Sequence, residues 1–172
     1  NWSSAAIPGP ASFVNIPAAP AGGRFPAIAG NVEVRSLLLE PGAQVSIAGG
    51  VLTLHGSLEA LGAAQIAANN GTVVLAGDRL ATLALPAGQA LHSLQIGSGS
   101  DGFQAALDSD LALSGNLTVQ PGATLDLAGA ALAVEGAVVN RGALRQSRLA
   151  TEGVVEFLRI KNAAGDGTRY WG

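Results

Sequence analysis

Two histidines, one tight acidic pair and one glycine-rich run are the residues of this chain whose types could support chemistry. His55 follows Leu52 and Leu54, and His92 lies between Leu91 and Leu94, so both fall on outward phases of alternating runs. A two-histidine metal site needs carboxylates close by, and neither stretch supplies one as a near partner. Both histidines therefore read as solvent-facing structural residues. Asp108-Ser109-Asp110 could hold a Ca²⁺ weakly, because hard cations want several oxygens. A turn leading into Leu111 accounts for it more simply. The run Gly97-Ser98-Gly99-Ser100-Asp101-Gly102 has no lysine after it and no helical pattern opening behind it, which argues against a phosphate cradle.

Further chemistry does not emerge. No GxSxG, HExxH or GxxxxGK[ST] pattern occurs, and without cysteine there is neither disulfide, thiolate metal site nor cysteine nucleophile. Asn1-Trp2-Ser3, Asn70-Gly71-Thr72 and Asn116-Leu117-Thr118 fit the N-x-[ST] pattern, but asparagine is expected near turns in any case. The expectation is a non-catalytic protein with no cofactor and no metal.

What must be positioned, then, is a scaffold. Hydrophobic residues make up 48% of the 172, yet aromatics only 4% and charged residues only 12%, with 24 glycines. Ala, Leu and Val cannot fill a wide core but suit a thin one lined by stacked aliphatics. No apolar run approaches the roughly 18 residues of a membrane span. The chain has no methionine, which suggests processing or excision from something longer. Charge is uneven: Arg141 to Gly172 carries +3 and the remainder −6, within a net charge of −3. A single lysine argues against a nucleic-acid footprint.

The organising stretch runs from Val32 to Leu58. Apolar residues alternate at Leu37 and Leu39, at Val45 and Ile47, and at Leu52, Leu54 and Leu58. Pro41-Gly42, Gly49-Gly50 and Gly56 interrupt them. Alternation predicts strands, and the Pro-Gly and Gly-Gly breaks predict turns. The pattern returns at a constant offset of 80: Leu37 matches Leu117, Pro41-Gly42-Ala43 matches Pro121-Gly122-Ala123, and Gly56 matches Gly136. Internal repetition of short strands predicts a solenoid. At about 20–22 residues per coil the chain would hold about eight coils, forming a rod of roughly 40 Å.

Residues 1–31 hold five of the eight prolines and read as an N-terminal cap or extended arm, with one strand at Ser12–Ile16. Trp2, Phe13 and Phe25 are the bulky residues available to plug that end. Residues 32–156 read as the solenoid coils with the internal repeat, and 157–172 as C-terminal edge strands. Six of the seven aromatics fall in the first 25 or last 16 residues. Aromatics are favoured where surfaces meet. Trp2, Phe13, Phe25, Arg159, Lys161, Arg169, Tyr170 and Trp171 are therefore the self-association candidates.

The motifs Pro121 to Leu127, Gly129 to Gly136 and Val138-Val139-Asn140-Arg141-Gly142-Ala143-Leu144 resemble the β-helical passenger and stalk regions of bacterial surface proteins, autotransporter-like and filamentous-haemagglutinin-like. The resemblance implies an all-β, single-stranded parallel β-helix, right-handed, exported to the cell surface or beyond. Open coil ends, aromatic-rich termini and the opposite charge of the bulk and the C-terminal segment point to a structural protein that stacks head to tail on copies of itself. An adhesin or stalk module of a larger surface protein, binding cell-surface or matrix glycans, is the alternative. A polysaccharide-acting enzyme would need a cluster of acidic residues with Arg or Lys, and the sequence offers none.

Overall fold

The computed structural model describes residues 8–77, 80–99 and 102–147. The chain winds as a parallel β-solenoid with three strands per coil. The first coil holds β1 (Phe13–Ile16), β2 (Ala27–Ile28) and β3 (Asn31–Val34), and the second β4 (Ser36–Leu39), β5 (Gln44–Ile47) and β6 (Val51–Leu54). The third holds β7 (Leu58–Ala60), β8 (Gln65–Ala67) and β9 (Thr72–Leu75), and the fourth β10 (Ala81–Ala84), β11 (Ala90–Leu91) and β12 (Ser93–Ile96). The fifth holds β13 (Gln104–Leu107), β14 (Leu111–Leu113) and β15 (Leu117–Val119). The sixth holds β16 (Thr124–Asp126), β17 (Leu132–Val134) and β18 (Val138–Asn140), after which β19 (Ala143–Arg145) opens a seventh.

Strands pair in parallel with the strand three places on, except that β8 does not pair with β11, and this produces three faces. The first face is one seven-stranded sheet, β1-β4-β7-β10-β13-β16-β19, and the third is one six-stranded sheet from β3 to β18. The second face is divided into β2-β5-β8 and β11-β14-β17. At the division the side chain of Gln89 takes over part of the ladder, its Oε1 accepting the Ile66 N–H at 3.0 Å.

Alternation along each strand sends every second side chain inward, and the register stacks those side chains coil on coil. Val34, Leu54, Leu75, Ile96 and Val119 form one such column on the third face, and Val32, Leu52, Val73, Leu94, Leu117 and Val138 the next. From Leu52 to Val119 these positions are almost completely buried. Burying a leucine in full contributes roughly 1.5–3 kcal/mol, so a few dozen aliphatics make the thin core that the composition predicted. Phe103 is the one fully buried aromatic among the described residues.

The corners explain the punctuation. In Glu40-Pro41-Gly42-Ala43 the Ala43 N–H donates to the Glu40 carbonyl at 2.8 Å and Gly42 takes φ +87°; Gln120 to Ala123 repeats the arrangement with Gly122 at +76°. Proline second and a left-handed residue third is the type II turn, where glycine is preferred. Between the second and third faces a different demand recurs. A Cβ on Gly50 would lie 2.4 Å from the Gly30 carbonyl oxygen, and one on Gly136 2.4 Å from that of Gly115. These glycines let one coil's backbone lie directly against the preceding coil.

Paired residues are 19 to 25 apart, and the described residues hold six coils and the first strand of a seventh. The ten-residue corner at 17–26 lengthens the first turn. Two expectations need correction. First, residues 13–34 form the first coil, so most of the segment read as a cap belongs to the solenoid itself. Second, the 80-residue repeat does not superimpose coil on coil. Leu37 and Leu39 lie on β4 of the first face, whereas their matches Leu117 and Val119 lie on β15 of the third. The offset is eleven strands, which is not a multiple of three. Strand plus corner takes about a third of a coil everywhere, so the motif specifies strand and turn but leaves the face open.

Leu54→Ala is expected to destabilise the chain by about 2–5 kcal/mol, and Gln65→Ala, on an outward position, by no more than about 0.5 kcal/mol. Gly136→Ala is expected to cost about 1–3 kcal/mol through overpacking. Gly30→Ala, where a Cβ meets nothing within 4 Å, stays within about 0.5 kcal/mol of the parent. Urea unfolding of the four variants checks the ranking.

Candidate functional site

Several of the titratable residues make contacts between coils. His55 stands at the corner after β6, and its Nε2 meets Glu33 Oε1 on β3 of the coil before. The carboxylate partner missing from the histidine's own stretch lies 22 residues back, which is one coil; a search at the coil period would have found it. His92 Nδ1 shares a hydrogen bond of 3.1 Å with the Ser93 hydroxyl, which also accepts the Asn116 N–H at 3.1 Å. Asn116 Oδ1 in turn accepts the Ala137 N–H at 2.8 Å. A chain of side chains thus carries hydrogen bonding across three coils at a corner.

Asp110 does likewise, its Oδ1 accepting the Ala131 N–H at 2.8 Å, in keeping with its reading as a turn residue. Asp126 Oδ1 accepts the N–H of Ala128 at 2.9 Å and of Ser147 at 3.1 Å, and Arg145 is its register partner on the next coil. Burial pushes the Asp126 carboxyl up. Hydrogen bonds from Ala128 and Ser147, with the Arg145 charge, outweigh that and hold it below the ordinary 3.8. Among the described residues no three His, Cys, Asp or Glu side chains converge on a possible metal position, and no buried side-chain polar atom lacks a partner.

The feature left over is the first coil. β1, β2 and β3 are each paired on one side only among the described residues, with β4, β5 and β6. An apolar recess opens here, lined by Val14, Ile16, Ile28, Val32 and Val34, with Leu52 beneath. Val14 and Val32 remain only half-buried, although their counterparts one coil on, Leu37 and Leu52, are 4% and 1% exposed.

Of the self-association candidates, Phe13 and Phe25 both fall in this coil. Phe25 is partly buried and packs against the core. Phe13 does not plug the end: Val14 and Ile16 take the inward phase of β1, so Phe13 points outward and is 78% exposed. Trp2, Arg159, Lys161, Arg169, Tyr170 and Trp171 lie outside the described residues. Sequence reasoning passed over the valines of the recess because prolines in 1–31 suggested a cap. The alternation of Val14 with Ile16 and of Val32 with Val34 was the available signal.

Comparison with protein-family models, curated proteins and solved structures found no match to the chain.

Because the folded carboxyl of Asp126 sits below its ordinary value, the stabilisation it supplies is present above about 3.8 and is lost as pH falls through the folded value. Asp126→Asn is therefore expected to lower the thermal midpoint at neutral pH. The gap from the parent should close in strong acid, as melting curves from pH 7 downward would record.

Proposed function

We propose that the chain is a non-catalytic extracellular structural protein, a β-solenoid subunit that stacks head to tail into a surface fibre. One observation carries the reading: a first coil whose three strands are paired on one side only, around an apolar recess. Unpaired strand edges are templates for further strands, and natural proteins blunt them unless pairing is useful. A head-to-tail contact that does not close on itself gives an open filament. The resemblance to autotransporter-like and filamentous-haemagglutinin-like passengers supports the extracellular setting. The use of His55, Asp110 and Asp126 in contacts between coils fits a scaffold better than a catalyst.

The adhesin or stalk reading draws on one further observation. The corner between β12 and β13, residues 97–103, is longer than the corresponding corners at 55–57 and 120–123, and long corners on a rigid scaffold are where binding residues concentrate. Glycans of a cell surface or matrix would be its ligands.

Electron microscopy and sedimentation of the full chain across protein concentration and salt test the first reading. Filaments that lengthen with concentration are expected, and short isolated rods at every concentration would overturn it. Glycan-array binding that disappears on deletion of residues 97–102 would then favour the adhesin.

A further inference from the structure

We infer that the solenoid opens between its third and fourth coils, at a seam that hinges on the third face. Such an opening belongs to the single chain and is independent of the stacking proposed above.

Coils in a solenoid touch only their neighbours, so partial unfolding begins at the interface that is held least. Among the described residues, β8 and β11 are not paired on the second face, although β5 pairs with β8 and β11 with β14. In place of a backbone carbonyl, the side chain of Gln89, from the corner before β11, receives the Ile66 N–H. Elsewhere on this face a carbonyl of the neighbouring coil does so: Pro26 for Ser46 at 3.0 Å, Ala43 for Gln65 at 2.9 Å and Ala131 for Leu111 at 2.9 Å.

The first face is weakened at the same level. The register of β7 with β10 consists of Leu58 with Leu83 and Glu59 with Ala84. Thr82, one residue earlier, donates its N–H to the Ser57 hydroxyl at 3.0 Å. Farther along this face Thr124 donates to the Phe103 carbonyl at 2.8 Å, and Ala143 to that of Ala123 at 2.9 Å. A side-chain acceptor can rotate away and regain rotamer freedom, whereas a carbonyl is fixed by its own strand.

Only the third face crosses the seam with a full ladder. Thr72, Val73, Val74 and Leu75 pair in step with Ser93, Leu94, Gln95 and Ile96, and the Gly97 N–H extends the ladder onto the Leu75 carbonyl at 2.7 Å. Between every other pair of complete coils all three faces are paired. Side-chain acceptors such as Asp110 and Asn116 stand there beside strands that keep their partners. Unequal closure makes a hinge. The first and second faces part while the third holds, and Ile66 and Thr82, on different faces, lose their acceptors in one event.

Amide hydrogen exchange, read residue by residue, on the full chain and on Gln89→Ala and Gln89→Glu tests this. In the parent the Ile66 and Thr82 amides are expected to exchange about tenfold faster than that of Gly97, with one shared dependence on urea. Gln89→Ala is expected to speed both by about another tenfold, leaving Thr124 and Ala143 at the parent rate. Gln89→Glu, which keeps an oxygen acceptor in place, stays near the parent. Thr82 bonds to Ser57 on another face, so its response reports the opening and not the lost bond. Acceleration of Ile66 alone would overturn the hinge, as would Ile66 and Thr82 amides as slow as that of Gly97. Should Gln89→Ala fold poorly, the parent decides: separate urea dependences for the two amides overturn the hinge, and a common one supports it.

Discussion

Everything in this molecule depends on keeping one backbone hydrogen-bond ladder in step with one side-chain stack. Parallel coils can approach to about 4.8 Å only if each inward side chain meets another of similar bulk above and below. That requirement explains the composition. Leucine, valine and isoleucine tile a narrow core, with alanine at Ala81 and Ala105 and the ring of Phe103 buried in the same cluster. It also explains why charge is scarce: only alternate positions and corners face water, and half of each strand is committed to the core.

Corners are where the ladder would fail, because three faces cannot be joined without backbone leaving the strand direction. Two devices meet the need. Glycines at 50, 71, 115 and 136 let backbones touch. Elsewhere a side chain from a neighbouring coil accepts the orphaned N–H: Ser57 for Thr82, Ser109 for Leu85, Gln89 for Ile66, Asp110 for Ala131, Asn116 for Ala137. The first three of these bonds are part-buried, and an unpaired buried N–H costs about 1–3 kcal/mol, so those polar residues have a structural reason to be where they are. His55, Asp110 and Asp126, which could have carried chemistry, are engaged by the architecture.

That engagement marks the border of what could be read from the sequence. Strands and type II corners were legible, since alternation and Pro-Gly are local signals. The solenoid was legible from their repetition. Face assignment was not, because strand plus corner has nearly the same length at each third of a coil; Leu37 and Leu117 look alike and lie on different faces. Contacts between coils, such as Glu33 with His55, hid at a separation of 22 residues. The first coil was hidden by its ten-residue corner at 17–26, whose prolines outweighed two short alternating pairs. Phe13 was misjudged as a plug for want of strand phase: one residue's shift exchanges inward for outward.

A solenoid differs from a barrel in having no closure, so each chain must do something with two ends. The usual protections are charge, proline, a bulge or a covering segment. Proline stands near the first coil at Pro8, Pro10, Pro17, Pro20 and Pro26, but none lies inside β1, β2 or β3, where it would block an incoming strand. On the other side the pattern changes: the column Val34, Leu54, Leu75, Ile96, Val119 reaches Asn140, whose Oδ1 accepts the Gly142 N–H at 3.2 Å. Within the described residues the column begins with valine and ends on asparagine, so it is not symmetric end for end. Polarity of that kind is what a heterologous, head-to-tail contact needs, since identical ends would favour closed pairs over chains.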